Sequence, residues 1–352
     1  MGWHHACTMI YTRRLLGLVL ATFLTGTLLS LPSGASAATA TSAAPASVSS
    51  AVLATAAGRD PAQDFPRMPR KCVDPKLLIP QQPTKCHLNK FRKARPTIVL
   101  WGDSHAWQMI PALRLAARDR RVNLVAFVMG SCPVMDNQLT PKEASSAPAC
   151  LKSNHRALKY VTNLKSRKKK VRVLMGTYWQ RYLRSIRVGD TKTYHGQMAA
   201  RFKTAGPQLF RTLGRMRIPV DVDAQVVTVP PHHKSCPKGN TPYACDLPRK
   251  KALRDETTTK RWVKKQMRSL SGKPLYINVN RMCNAETCYA RSDEGIYTFW
   301  DDQHISASMS RHLSYVLTPT VTKAGGKKLP PDDGGDGDGG GGGGCTLIII
   351  CP

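Results

Sequence analysis

The sequence predicts an α/β fold with a central parallel sheet covered by helices on both faces. Short apolar runs rich in β-branched residues alternate along the chain with longer segments in which apolar residues recur at helical spacing. Such alternation, with helices long enough to cross over between neighbouring strands, is typical of a parallel sheet. The hydrophobic fraction of 41% is ordinary for a globular protein, so the 352 residues can bury a substantial core.

Each predicted strand is followed by a predicted helix. The five strands, in chain order, cover residues 97–101, 124–129, 171–175, 220–229 and 275–279. The helices that follow them cover residues 107–118, 157–164, 197–213, 250–270 and 307–317. Ligands of such sheets bind beyond the carboxyl ends of the strands, so functional residues are expected in the loops that follow the strands.

The N-terminal residues predict export. Two arginines precede a charge-free apolar run over 15–31, and an Ala-Ser-Ala triplet ends at Ala37, as in a secretory signal peptide covering residues 1–37. An uncleaved anchor helix is the alternative, because the apolar run is near the lower length limit for crossing a bilayer. Both interpretations place the rest of the chain outside the cytoplasm, either secreted or held at the membrane or cell wall.

Composition divides the remainder of the chain into three parts. Residues 38–66 are rich in Ala, Ser and Thr and are predicted to form a flexible spacer. Residues 67–322 carry the alternating strands and helices and are predicted to form one folded domain. Residues 323–352 are predicted to be a low-complexity tail, because Gly and Asp dominate most of this segment and cannot pack a core.

Eight of the 11 cysteines fall into four close pairs, which suits structural disulfides in an oxidising compartment. Pairing of nearest neighbours would close four short loops, although spacing alone does not fix the connectivity. The predicted pairs are Cys72–Cys86, Cys132–Cys150, Cys236–Cys245 and Cys283–Cys288. A zinc site is less favoured, because the chain has no C-x-x-C pair and the adjacent His232 and His233 lack a second pair at ligand spacing.

The charge balance is strongly basic. The chain has 53 Lys and Arg against 22 Asp and Glu, a formal net charge of +31. For an exported protein the available polyanions are cell-wall polymers, acidic polysaccharides and lipid head groups, and affinity for anionic surfaces is therefore predicted. A merely solvated surface is the plain alternative. Nucleic-acid binding is disfavoured by the export signal and by the lack of basic and aromatic residues that alternate.

Two short motifs carry the predicted chemistry. A Gly-Asp-Ser-His sequence at 102–105 follows the first strand and places Ser104 where the strand gives way to a helix. A serine there is by itself usually just a helix cap. Asp301 and His304, three residues apart before the last helix, can supply a base and the carboxylate that orients it. Together the motifs predict a nucleophilic Ser104, with Asp302 as the alternative carboxylate and His105 in a structural or substrate-positioning role.

These motifs resemble those of the SGNH (GDSL-type) hydrolase superfamily, and in particular its domains fused to integral-membrane acyltransferases that O-acylate surface polysaccharides. The matching sequences are "TIVLWGDSHAWQMIPAL" and "CNAETCYARSDEGIYTFWDDQHISASMSRHL", with weaker support from "VRVLMGTYWQRY" and "VTVPPHHKSCPKGNTPYAC". The resemblance covers about residues 70 to 320. It implies a three-layer, flavodoxin-like fold with a central parallel sheet, and it makes residues 67–322 an SGNH-like catalytic domain.

The resemblance also implies roles for individual residues. Ser104 is the nucleophile, His304 the general acid and base, and Asp301 the orienting carboxylate. The oxyanion hole is implied to use the N–H groups of Ser104 and Gly130.

A third oxyanion donor stays unassigned. The superfamily commonly has an Asn after the third strand, where this chain has Gly-Thr-Tyr-Trp-Gln at 176–180. The Trp179 indole and the Gln180 amide are the candidate donors, and Trp179 is equally well explained as a core or sugar-stacking aromatic.

The implied activity is transfer of an acyl group, in the first instance acetyl, to or from a surface glycan through an acyl-enzyme on Ser104. Transferase and esterase stay open, because they differ only in whether a sugar hydroxyl or water takes the acyl group. The implied partner is an acylated or acyl-accepting polysaccharide, and the charge balance adds an anionic cell-wall polymer. The domain is expected to work alone, with a separate membrane acyl-donor protein, or as an esterase. The chemistry requires no metal or cofactor. The alternative function is a non-catalytic cationic module that binds anionic cell-wall polymers.

Overall fold

A computed structural model describes residues 61–137, 147–230 and 245–328 of the chain. The predicted signal peptide, most of the predicted spacer and most of the predicted tail lie outside the described residues. Within the three described ranges, no helix combines the length and the apolar character that crossing a membrane would need.

The core of the domain is a six-stranded sheet in the order β1-β3-β2-β4-β5-β7. Five strands are parallel, and the short β1 pairs antiparallel with β3 at one edge. The strands are β1 (Cys86–His87), β2 (Thr97–Gly102), β3 (Asn123–Val128), β4 (Val171–Gly176), β5 (Val220–Asp223) and β7 (Tyr276–Ile277). A separate two-stranded sheet pairs β6 (Leu247–Pro248) with β8 (Thr287–Cys288). The parallel β3-β2-β4-β5-β7 order is flavodoxin-like.

Helices cover both faces of the sheet. They are α1 (Ser104–Trp107), α2 (Ile110–Ala116), α3 (Ala149–Ser166), α4 (Trp179–Arg187), α5 (Tyr194–Arg215), α6 (Arg249–Ala252), α7 (Glu256–Met267), α8 (Ala307–His312) and α9 (Thr318–Lys323). Alternate residues of β2 enter two separate hydrophobic clusters, Ile98 and Leu100 in one and Val99 and Trp101 in the other. A core on each side of a fully buried parallel sheet confirms the predicted three-layer α/β fold.

Several predicted elements are shorter than expected, most clearly the fourth strand and the helix predicted over 250–270. The fourth strand ends at Asp223 instead of continuing to residue 229, because the following amides bond elsewhere: Val227 N–H donates to the Asn280 side chain and Val229 N–H to the carbonyl of Asp302. The helix predicted over 250–270 is interrupted before Glu256, where Asp255 adopts a left-handed conformation with φ of 62°.

The folded domain extends beyond residues 67–322 at both ends. Asp64, within the predicted spacer, is only 5% exposed and accepts a hydrogen bond from the Ser308 amide. Phe65 packs against Trp300, with ring centroids 5.5 Å apart. At the other end, the Arg121 amide donates to the Lys327 carbonyl. Chain segments assigned to the spacer and tail by composition therefore complete the core.

Three of the four predicted disulfides are confirmed: Cys72–Cys86, Cys132–Cys150 and Cys283–Cys288. Cys245 is also disulfide-bonded. Its predicted partner, Cys236, lies outside the described residues, as do His232 and His233.

Candidate active site

The turn that carries Ser104 lies at the end of the sheet where the parallel strands finish, which we call the carboxyl edge. It is level with the ends of the two neighbouring strands. Gly102 of β2 lies opposite Val128 of β3 and Gly176 of β4. A Cβ atom at Gly102 would lie 1.6 Å from the Gly176 carbonyl oxygen, so this approach of turn to strand requires glycine. Ser104 is the first residue of α1 and is half-buried. Its amide therefore has no acceptor within the helix and is available to an oxyanion.

His304 is held by Asp301. The imidazole Nδ1 lies 2.8 and 2.9 Å from the two carboxylate oxygens. The same carboxylate accepts the backbone N–H groups of Gln303 (2.8 Å) and His304 (2.7 Å), so one tight turn fixes both carboxylate and imidazole. The His304 Nε2 atom is buried and has no hydrogen-bond partner among the described residues. Ser104 and His304 are therefore not hydrogen-bonded here, and Nε2 is the ring nitrogen that Asp301 leaves without a partner.

The two motifs lie together in space although about 200 residues separate them. The Ile305 amide donates to the side chain of Gln108, just after α1, at 2.8 Å. The His304 ring lies 5.5 Å from the ring of His105 and 5.7 Å from that of Trp107, centroid to centroid. The loop before α8 thus packs directly on the helix that begins at Ser104.

Asp302, the alternative carboxylate, does not contact the imidazole. Its side chain is exposed, and its carbonyl accepts the Val229 amide. Asp301 is thus the carboxylate that orients His304 in this structure.

A buried polar layer lies beneath Ser104. Asp103 caps α1 by accepting the His105 amide at 2.8 Å, and its other oxygen accepts the Tyr178 amide at 2.9 Å. Burial raises the pKa of Asp103 to about 6, against these two hydrogen bonds, which act to lower it. The carboxylate ties the loop after β2 to the loop after β4, and it is a structural link of the site.

His105 is a buried neighbour of the site. Its ring stacks on Tyr178 at 4.1 Å, and neither ring nitrogen has a hydrogen-bond partner among the described residues. Burial, followed by the charge of His304, lowers the pKa of His105 well below its ordinary value. A histidine that stays neutral and buried suits a structural or positioning role rather than that of a base.

Gly130 follows β3, as predicted for an oxyanion donor, but its N–H is occupied. The amide donates to the Pro80 carbonyl at 2.9 Å. The adjacent Gln81 side chain also packs against Gly130, where a Cβ atom would lie 2.5 Å from its Nε2. Residues 80 and 81 were not predicted to lie near the site, because they carry no motif and belong to no strand or helix.

The two candidates for the third donor have other partners. Trp179 is fully buried, and its indole N–H donates to the Asp223 carbonyl at 3.1 Å. Of the alternatives that the sequence left open, the core position is the one observed. The Gln180 side-chain amide donates to the Thr228 hydroxyl at 3.2 Å. The single Trp179 donor is therefore occupied, whereas the Gln180 amide has a second N–H beyond the one that Thr228 accepts.

Asp223, at the end of β5, is a buried acid that the sequence motifs did not indicate. It is 1% exposed, and its Oδ2 atom has no hydrogen-bond partner among the described residues. Burial raises the pKa of Asp223 well above its ordinary value, and the negative charge of Asp103 raises it further. No sequence signal pointed to it, because the predicted strand continued to residue 229 and placed Asp223 in its interior.

The strand order, a serine after the first parallel strand and an Asp-x-x-His turn before a closing helix define an α/β protein with the SGNH-hydrolase fold. The chain belongs to the family of SGNH domains fused to AT3 domains, whose model matches residues 71–319. Among solved structures, it is similar to the periplasmic domain of a lipopolysaccharide acetyltransferase from Salmonella ser. Paratyphi A. That likeness has 14% identity and a TM-score of 0.43, and it covers 66% of this chain and 85% of the other. No curated protein sequence matches the chain significantly.

Proposed function

We propose that the domain is an exported, serine-dependent O-acyl transferase or esterase that acts on cell-surface glycans through an acyl-enzyme on Ser104. The observation that carries the proposal is the Asp301–His304 pair. The His304 ring packs on the helix that begins at Ser104, and its buried Nε2 atom has no hydrogen-bond partner in the described part of the chain. Membership in a family of SGNH domains supports the reaction class. The three disulfides and the predicted signal peptide support a location outside the cytoplasm.

In the proposed reaction, the Ser104 Oγ attacks the acyl carbonyl carbon while His304 Nε2 takes the proton of the Ser104 hydroxyl. Asp301 keeps the proton on Nδ1 and stabilises the imidazolium that forms. The tetrahedral intermediate collapses when the leaving alcohol takes the proton from Nε2, and the acyl group stays on Ser104. Water then completes hydrolysis, or a sugar hydroxyl completes transfer, by the same steps in reverse.

The oxyanion hole is the part of the proposed site that must change. The Ser104 amide is the donor in place, and Gly130 can become the second only if its N–H leaves Pro80. One such donor is worth about 3 kcal/mol of transition-state stabilisation. We propose that substrate binding displaces the segment at residues 80 and 81, and that a separate membrane protein of the AT3 type supplies the acyl group.

Ser104→Ala tests the proposal. With p-nitrophenyl acetate, the native protein should gain the mass of one acetyl group and release p-nitrophenol. The variant should lose both, with turnover lower by about 10⁴-fold or more, at an unchanged melting temperature. Ser166→Ala, at an exposed serine of α3, is the matched control and should retain full activity. Turnover by Ser104→Ala equal to that of the control would remove Ser104 from the mechanism.

A second candidate function is a cationic binding module that has lost catalysis, and the occupied Gly130 amide favours it. It predicts that the native protein forms no acetyl adduct with any activated ester yet is retained on purified anionic wall polymer. Retention without an adduct would select this function over the first.

A further inference from the structure

The end of the sheet opposite Ser104, where the parallel strands begin, is called the amino edge. It carries two adjoining clefts, with volumes of about 550 and 640 Å³. They lie where loops enter the amino ends of the parallel strands, and the Thr97 amide at the start of β2 donates to the Lys170 carbonyl. Six Lys or Arg residues line the first cleft and seven line the second. Three of these, Lys168, Lys169 and Lys170, line both clefts and make them continuous. We call the two clefts together the cationic groove.

The ten cations of this groove have almost no anionic partners. No Asp or Glu is among its lining residues. Of the ten, only Arg172 forms an ion pair with a carboxylate of the described residues, that of Asp221 at 2.8 Å. Lys168, Lys169 and Lys170 are exposed, and their side chains form no hydrogen bond or ion pair within the described part of the chain. The groove is therefore a concentration of positive charge that the domain itself does not neutralise.

Helix ends explain only part of this charge. Cations suit the C-termini of helices, where carbonyl groups lack intrahelical partners. Lys165 and Lys323 meet this description, since they lie in the last turns of α3 and α9. Each also donates to a backbone carbonyl elsewhere, that of Arg217 and that of Lys273. The three shared lysines make no such contacts. Their proximity raises the local potential, which only bound anions can offset.

We propose that the cationic groove binds a linear, phosphate-bearing polyanion. A continuous concave groove fits an extended chain, and Arg92, Arg121 and Lys327 extend the charge along the second cleft. An anionic membrane is a poorer fit: the uncharged lining residues are Ala, Val, Pro and Gly, and no aromatic side chain lines the groove to enter a bilayer. Lysine ammonium groups bind phosphate as point charges, and binding releases condensed counterions.

The position of the groove leaves the candidate active site free. The six residues of β2 separate the two edges, roughly 20 Å at about 3.3 Å per residue. A polymer held in the groove would therefore tether the domain with Ser104 facing away from it. The inference does not rest on the proposed catalytic function, because it concerns other residues at another edge.

The test uses fluorescent inorganic polyphosphate and vesicles rich in phosphatidylglycerol as probes for the purified protein. The triple variant Lys168→Gln, Lys169→Gln, Lys170→Gln should bind polyphosphate at least tenfold more weakly than the native protein. The slope of log affinity against log salt should fall by about 2 to 3, near one per lost phosphate contact. The matched control, Arg201→Gln, Lys260→Gln, Arg261→Gln, removes three exposed cations that line neither cleft, and its affinity should stay within threefold.

Two results would overturn the proposal. Equal loss of polyphosphate affinity in both triple variants would mean that net charge, not the groove, binds the probe. Stronger retention on the vesicles than on polyphosphate, lost in the groove variant, would identify a membrane-binding surface instead. Turnover of p-nitrophenyl acetate, measured on all three proteins, separates this test from that of Ser104.

Discussion

The two edges of the central sheet use charge in opposite ways. At the carboxyl edge, the key ionisable side chains are withdrawn from water and held by hydrogen bonds: Asp103 is 1% exposed with two backbone donors, and His304 is 8% exposed with Asp301 on Nδ1. At the amino edge, Lys168, Lys169 and Lys170 are exposed, and their side chains form no hydrogen bond or ion pair with the described residues. Buried and partnered groups can hold one geometry and one protonation state, as catalysis requires. Exposed, unpartnered cations instead hold a potential that any flexible polyanion can use.

Among substitutions that should alter the function of one edge and not of the other, Asp301→Asn is expected to have the largest effect. Asparagine can still accept the backbone N–H groups of the turn, but it presents an N–H₂ group toward Nδ1 of His304 and so selects the wrong tautomer. Turnover of p-nitrophenyl acetate should fall by about 10³- to 10⁴-fold, while polyphosphate affinity should not change.

Asp302→Asn is the matched control for this change. Asp302 is exposed and does not contact the imidazole, so turnover should stay within about twofold of native. If Asp302→Asn were instead the more damaging substitution, the carboxylate assignment would be reversed.

The carboxyl edge could be predicted from the sequence better than the amino edge, because the key contacts of the carboxyl edge are local. Gly102 to His105 are contiguous, and Asp301 reaches His304 within one turn, so both units could be recognised as motifs. The β2–β3 and β2–β4 register then brings the loops after these strands to one level. Contacts between distant segments were not foreseen, such as that of Pro80 with Gly130, because no propensity or spacing links them.

For the amino edge, the sequence predicted only a strongly positive net charge and not where that charge is concentrated. Its cations come from separate segments around residues 92–95, 121, 165–172 and 323–327, each ordinary by itself. Only the packing of those segments at the strand ends assembles them into one groove. Trp179 shows the same limit in the core, because an aromatic residue after a strand has the same pattern whether it binds a substrate or, as here, a buried backbone carbonyl.

An effect of intermediate size is expected from the buried acids of the carboxyl edge, because their titration makes the free energy of unfolding depend on pH. A folded-state pKa above the unfolded value means that the folded protein binds the proton more tightly, so stability is greatest below the unfolded pKa and is lost as pH rises through the folded pKa. For Asp103, a shift from 3.8 to about 6 corresponds to about 3 kcal/mol. The pKa of Asp223 is shifted in the same direction.

Asp223→Asn removes one of these titrations at nearly constant shape. In urea unfolding curves its free energy of unfolding should be close to native at pH 4 and should exceed native at pH 8, because the native protein loses stability as Asp223 is deprotonated. The exposed Asp119 supplies the control substitution, Asp119→Asn, against which the trend is measured. If the free energies of unfolding of the native protein and of Asp223→Asn differed by the same amount at pH 4 and pH 8, the pKa of Asp223 would not be raised in the folded protein.

The smallest effect is expected at the amino edge. Neutralising Lys168, Lys169 and Lys170 removes like charges that repel one another and make no bonds within the described part of the chain. The triple glutamine variant should therefore be more stable than native by a few tenths of a kcal/mol at low ionic strength, about 20 mM, in urea unfolding. The gain should vanish near 1 M salt, where the Debye length falls to about 3 Å. A loss of stability at low salt would mean that these lysines hold the fold together, and the two edges would then no longer differ in kind.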